Sequence, residues 1–238
     1  MKFENTRVYN FENALRGMRN PLNSWAKSDS QYGLCHRDDL TGDEVVIYTN
    51  DELVEYVELG PNDLDLARRL INGGTEHRKF LRQIFVSVDI TAPLYWFKEF
   101  TTYQVATVAN STSTMHKLTS KPIDLECFEI GDYEPNLTLP LCGTDNGEWC
   151  VADFVECDFI PFLEQLRQEY LKTGDKRYWK ELVRWLPDGW LQTRTWTANY
   201  ETLRSMYHQR KAHKLVEWKD EFCSWVESLP YAQEFIIQ

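Results

Sequence analysis

The sequence predicts a mixed α+β fold in which helices outnumber strands. Three observations carry this: apolar and polar residues alternate at 84–90, apolar residues recur at helical spacing in several later stretches, and Gly and Pro are scattered rather than pooled into a linker. At 238 residues, 42% apolar and 26% charged, the chain can build a real core, and a single domain over 1–238 is expected.

The elements follow in order. Residues 28–43 are polar and turn-rich and are expected to be a surface loop. From Pro61 a helix is predicted: Asn62-Asp63 offers an N-cap, Leu64, Leu66, Leu70 and Ile71 recur at helical spacing, and Gly73-Gly74 closes it. In 80–90, Ile84, Val86, Val88 and Ile90 alternate with Phe85, Ser87 and Asp89, which predicts a strand with one core face. Ala92-Pro93 should then open a helix through Phe100, because proline is tolerated in a first helical turn. Residues 101–113 are dominated by hydroxyls and amides and lead into Thr114-Met115-His116-Lys117. Such side chains favour turns and caps over helix interiors. A loop or hairpin is expected over 137–149, helices over 159–172 and 176–185, an extended run over 191–197, and helices over 200–210 and about 215–229.

Composition narrows the function. The formal charge is −11. It disfavours sustained binding to duplex nucleic acid or an anionic membrane, since both require a cationic face. Nine Trp, twelve Tyr and twelve Phe make 14% of the chain, which fits a large aromatic core, a ring-binding site, or both. No apolar run is long enough to span a bilayer, and Met-Lys-Phe-Glu-Asn-Thr-Arg is not a secretory leader, so a cytoplasmic location is expected. Six scattered cysteines lack metal-site spacing and are read as reduced thiols.

Two constellations carry candidate chemistry. From Thr107 to Thr114, with Asn110, His116 and Lys117, hydroxyls and backbone N–H groups could cradle a phosphate, or could simply form a capped surface turn. Without glycine this is no Walker loop. The second constellation is 196–210. There Arg210 could fork onto a carboxylate, a phosphate or a uracil-like imide edge, or pair with Glu217 in solvent. Absence of Gly-x-Ser-x-Gly argues against a Ser-His-Asp hydrolase, and His spacing argues against zinc.

In that order and at that separation, the two constellations resemble the flavin-dependent thymidylate synthases, from about Asn72 to Lys219. The likeness begins at Val86-Ser87-Val88-Asp89-Ile90-Thr91-Ala92-Pro93. Counted without gaps from there, the family signature (Arg-His-Arg, two residues, Ser, one residue, Asn-Glu, one residue, Ser, one residue, Arg-Tyr) falls on Thr102-Tyr103-Gln104, Thr107, Ala109-Asn110, Thr112 and Thr114-Met115. The length matches and the charges do not. Better kept are Leu186-Pro187, Thr193-Arg194-Thr195-Trp196-Thr197-Ala198-Asn199, Leu203, Arg210 and Glu217 near Trp218.

The resemblance implies helices around a small, mostly antiparallel sheet. It implies C5 methylation of a pyrimidine deoxynucleotide (dUMP, possibly dCMP) with FAD, a methylenetetrahydrofolate one-carbon donor and NADPH, in a homotetramer. Arg210 inherits the catalytic, pyrimidine-gripping role. Asn199 inherits a flavin contact and His77 the adenine end, with Tyr103, Gln104 and Ser205 also on the cofactor side. Lys98, Glu99, Ser111, Thr112, Ser113 and Thr114 fall on the nucleotide side. Three signature arginines are missing, each charge-assisted contact contributing about 1.5–3 kcal/mol; Lys98, Lys117, Arg184 or His116 are the available replacements. Glu99 stands where the family has a Gln, and a carboxylate accepts from the exocyclic amine of cytosine. Two alternatives stay open: a catalytically inactive nucleotide- or flavin-binding module, and a flavin enzyme acting on another substrate.

Overall fold

The structure, a computed structural model, describes residues 1–40, 45–49, 53–140 and 147–238. It is α+β, with helices around small sheets, as expected, and it divides into two compact units. The larger comprises residues 2–90, 101–110 and 195–238; the smaller comprises Met1 with 91–100 and 111–194. No helix among the described residues is long and apolar enough to cross a membrane.

One sheet has the strand order β1-β5-β9-β6, with β1 (Lys2–Tyr9), β5 (Phe85–Pro93), β6 (Val108–Ser111) and β9 (Leu191–Asn199); the larger unit holds β1 and residues 85–90, 108–110 and 195–199 of the others. The alternation that predicted β5 is realised: Ile84, Val86, Val88 and Ile90 are at most 1% exposed, while Phe85 on the other face is 40% exposed. Its bounds differ from expectation. Residues Lys79–Gln83 are 3-10 helix, and Pro93 ends the strand instead of opening a helix; α3 is Leu94–Phe100. Proline fits a strand end because it has no N–H to withhold from a ladder there.

The larger unit also holds α1 (Phe11–Met18), α2 (Pro61–Asn72), α7 (Tyr200–Arg210), the wide-turned helix Glu217–Phe222 with α8 (Cys223–Glu227), and the C-terminal Gln233–Ile237; α1 packs on α2, α7 on α8 and on Gln233–Ile237, and Phe222 and Trp225 meet Phe3 of β1. The last predicted helix, 215–229, is thus resolved into two consecutive segments. The aromatic excess sits largely in this core: Phe11 meets Tyr200 edge-on at 5.7 Å, and Phe80 meets Phe235 at 5.6 Å. Such pairs add about 0.5–1.5 kcal/mol each beyond burial.

A second sheet corrects the expected 28–43 loop. Gln31–His36 is strand β2, paired antiparallel with β4 (Leu53–Glu58), which also pairs with β3 (Val45–Thr49). Because β2 is an edge strand burying no side chain fully, it has no need of the apolar alternation that marks a half-buried strand.

Helix α2 also differs at its start. The N-cap position is Gly60, and the carboxylate of Asp29 caps the helix from outside, accepting from the Asn62 and Asp63 amides at 2.9 and 3.0 Å. Asp63 itself is fully buried. It accepts from Arg19 Nε at 2.6 Å, from the Ser28 and Ser30 hydroxyls at 2.7 and 2.6 Å, and from the Asp29 and Ser30 amides. The predicted stop holds: Gly74 lies at φ 96°, in the left-handed region open to glycine.

The smaller unit holds α3, the short α4 (Thr114–Lys117), the hairpin β7 (Thr138–Pro140) and β8 (Glu148–Cys150), and helices α5 (Ile160–Thr173) and α6 (Lys176–Trp185). The 137–149 hairpin expectation is met at its strands, while its tip, 141–146, lies outside the described residues. A wide-turned helix, Asp153–Phe159, precedes α5, so the helix expected from 159 begins a turn and a half earlier. Leu118, Ile123, Phe128, Leu163, Leu182 and Trp190 form the core. Glu164 ties it to the chain before it, accepting from Arg167 through both oxygens at 2.7 Å and from the Ile123 amide at 2.8 Å. Cys35, Cys127, Cys150, Cys157 and Cys223 are free thiols, and Cys142 lies outside the described residues.

Candidate functional site

In the larger unit the site is organised along α7. Asn199 is buried at its N-terminus and caps it, its Oδ1 accepting from the Thr202 amide at 2.9 Å. One turn in, the Thr202 hydroxyl donates to the Val105 carbonyl at 3.1 Å. At the opposite end, Arg210 Nε donates to the Tyr103 hydroxyl at 2.7 Å. That hydroxyl donates to Gln209 Oε1 at 3.1 Å, and Gln209 Nε2 donates to Ser205 Oγ at 3.0 Å. The segment around Tyr103 therefore runs along the helix, touching its first turn and its last.

That segment is held tightly. Thr107 Oγ1 donates to the Tyr103 carbonyl at 2.7 Å, and Ala106 sits in left-handed backbone at φ 57°, which costs an L-residue about 1–2 kcal/mol. Such strain persists where the surroundings over-determine it, commonly at binding sites. The Arg210 guanidinium also lies over the Trp218 ring, 4.7 Å from its centroid, and 5.3 Å from that of Tyr103. Trp218 is fully buried, so the plane Arg210 rests on is fixed. Tyr103, Ser205 and Arg210 are thus brought together. Asn199 stands about 16 Å from Arg210 along the helix axis, eleven residues at 1.5 Å each. Gln104 is exposed on the loop.

His77 is exposed in the turn after α2. It lines a cavity of about 620 Å³ together with Met18, Leu70, Glu76, Lys79, Phe80 and Arg82, and Lys79 pairs there with Glu76 at 3.2 Å. Next to it, Arg78 makes a two-pronged ion pair with Glu201 at 2.8–3.1 Å, pinning the His77 turn to the first turn of α7. Arg78, Lys79 and Arg82 were passed over in the sequence. Their signal was a run of cations beside His77 in a chain of charge −11.

The residues that the resemblance assigns to a nucleotide, Lys98, Glu99 and Ser111 to Thr114, lie in the smaller unit. Thr112 donates its amide to the Thr193 carbonyl at 2.9 Å, and Gln192 Nε2 donates to the Thr112 carbonyl at 2.8 Å. Ser113 Oγ accepts from the His116 amide at 3.1 Å and caps α4, which Thr114 opens. For 113–117 the capped turn is therefore realised. Ser111 and Thr112 are exposed, and Glu99 is half-buried. Lys98 pairs with Asp188 and Arg184 with Glu181, so two of the proposed stand-ins for the missing arginines are engaged by acids. Arg194 differs. It stacks on Phe97 at 3.9 Å, donates from Nε to Gln192 at 3.0 Å, and has no acidic partner among the described residues. Burial pushes its pKa below the ordinary guanidinium value.

No family model matches the chain, and no curated protein matches it. In fold it is similar to two crystal structures of flavin-dependent thymidylate synthase ThyX from Helicobacter pylori, both with FAD and dUMP. The TM-score is 0.62 in each case at 16% identity, over 99% and 100% of this chain and 98% of that one. It is also similar to a UMP/dUMP methylase, PolB from Streptomyces cacaoi, bound with 5-Br dUMP, at TM-score 0.55 and 13% identity over 98% of this chain and 94% of that one.

Proposed function

We propose that the chain binds FAD and a pyrimidine deoxynucleotide and adds a one-carbon unit to C5 of the pyrimidine ring, using a methylenetetrahydrofolate donor and NADPH, as a homotetramer in the cytoplasm. The observation that carries this reading is Arg210, pinned through Nε by Tyr103 and stacked on buried Trp218, in a fold similar over nearly its full length to structures holding FAD and dUMP.

An arginine fixed in advance stabilises negative charge developing on a bound ring without reorganising at the moment of reaction. The cavity at His77 is where the dinucleotide would lie: Met18, Leu70 and Phe80 of its lining suit an adenine, and Arg82 and His77 offer donors to a diphosphate, Lys79 being paired with Glu76. Asn199, its oxygen committed to the Thr202 amide, would contribute its Nδ2 donor, with Ser205, Tyr103 and Gln104 on the same side. Bound FAD would carry the redox step. Lys98, Glu99 and Ser111 to Thr114 would meet the nucleotide. The Glu99 carboxylate favours a ring bearing an exocyclic amine, hence dCMP over dUMP. Equal methylation of both would remove that preference.

The test is reconstitution of the purified chain with FAD, followed by thermal shifts with dUMP and dCMP and an assay for C5 alkylation. Flavin absorbance retained after gel filtration, a nucleotide-dependent shift and turnover are expected, with Arg210→Ala losing the nucleotide shift and keeping the flavin. Binding without turnover would make the chain an inactive binding module. No flavin and no nucleotide shift would overturn the reading.

A further inference from the structure

The acidic balance of this chain is concentrated in one place. Between residues 122 and 166 there are eleven Asp and Glu and no Lys, Arg or His, as many negative charges as the whole chain's net −11. Among the described residues, none of Glu129, Asp132, Glu134, Glu148, Asp153 and Glu156 forms an ion pair.

The same stretch of the smaller unit exposes a continuous run of large apolar side chains. Leu139 and Trp149 face each other across the β7–β8 hairpin and are 55% and 47% exposed. The Trp149 ring lies 5.9 Å from Phe154, itself 44% exposed, and Phe154 stacks on Phe159 at 5.9 Å. Phe159 in turn lines an almost wholly apolar cavity of about 220 Å³, with Phe128, Ile130 and Val155. The wide turns of Asp153–Phe159 supply both Val155 and Phe159 to it. Exposed apolar surface that is continuous, rimmed by charge and ends in a cavity marks a protein contact.

Charge decides the occupant. A second copy meeting this face through the same face would set carboxylates against carboxylates, and nucleic acid or an anionic lipid surface would be repelled. We infer that this face docks a basic, amphipathic segment of another protein, with one large apolar side chain seated in the Phe128–Phe159 cavity and lysines or arginines over the acidic rim. This does not rest on the proposed enzymatic function.

The test titrates the full chain with a labelled, 18-residue amphipathic Leu/Lys peptide and with a scrambled peptide of the same composition. Saturable one-to-one binding is expected, at least tenfold tighter for the amphipathic peptide and weaker at high salt. Phe154→Ser, and separately the exposed double variant Asp132→Lys/Glu148→Lys, should each lose at least tenfold, while Leu171→Ser on α5 should bind normally. All variants are checked for an unchanged melting temperature. Equal binding of the scrambled peptide, or insensitivity to both variants, would overturn the inference. So would sedimentation showing self-association that Phe154→Ser abolishes, since the occupant would then be a second copy.

Discussion

Tyr103 and Arg210 are 107 residues apart in the chain, yet the phenol oxygen of one accepts from Nε of the other at 2.7 Å. The contact joins the hydroxyl-rich loop before β6 to the last residue of α7. Tyr103→Phe keeps the ring beside Trp218 and removes only the hydroxyl. Hydrogen bonds to charged groups contribute about 1.5–3 kcal/mol, so nucleotide affinity should fall roughly tenfold or more with flavin retention unchanged. Calorimetric titration of FAD-loaded wild-type and variant protein checks this; equal affinities would mean Tyr103 does not hold Arg210 in its working position.

Ala106, at φ 57°, should be more stable as glycine. Relief of the left-handed strain outweighs the added freedom of the unfolded chain, and Ala106→Gly is expected to gain about 0.5–1 kcal/mol. Ala106→Val, β-branched at the same angle, should lose more than about 1 kcal/mol. Urea denaturation midpoints at constant slope give both values.

Asp63 and Arg19 form a buried pair, 0% and 4% exposed. Burial alone would raise the Asp63 carboxyl, but hydrogen bonds from Ser30, Ser28 and Arg19 more than offset it, leaving the group below its usual 3.8. A depressed carboxyl contributes stability that is fully present above its unfolded pKa and is lost as pH falls through the folded value. Asp63→Ala should therefore destabilise the chain by about 3–5 kcal/mol at neutral pH, because the Arg19 charge is left buried and unpaired. A melting series should show the penalty shrinking below about pH 4.

His208 Nε2 meets the Ile236 carbonyl at 3.1 Å, which also accepts from Arg204 at 2.7 Å. Burial first, and then the charges of Arg204 and Lys211, lower its imidazole from the usual 6.5. The neutral ring is thus the folded form, and the associated stability is complete above pH 6.5 and declines as pH falls below it. Once the intrinsic pH dependence of amide exchange is divided out, the protection factors of the Gln233–Ile237 helix should fall on acidification from pH 7, and His208→Gln should flatten that dependence.

What the sequence made legible followed burial. The β5 alternation, the α6 and α7 limits and the Gly74 stop could be read because one face of each is core or one angle admits glycine. Strands β1 and β2 could not, since only Val8 is buried in the first and nothing is fully buried in the second. Of the candidate site, the sequence singles out Arg210 and Asn199 through the resemblance, and the structure puts them at the two ends of α7. The cations around His77 were not legible, because they converge with Met18 from α1 only in the folded chain. Nor was the Tyr103 contact, which crosses the length of a domain to be made.

The cap on α2 reaches across some thirty residues, from Asp29 to the amides of Asn62 and Asp63. A helix whose first turn is secured by a distant side chain gains that support only once the intervening chain has closed, so the start of α2 and the docking of residues 28–30 around Asp63 stand or fall together.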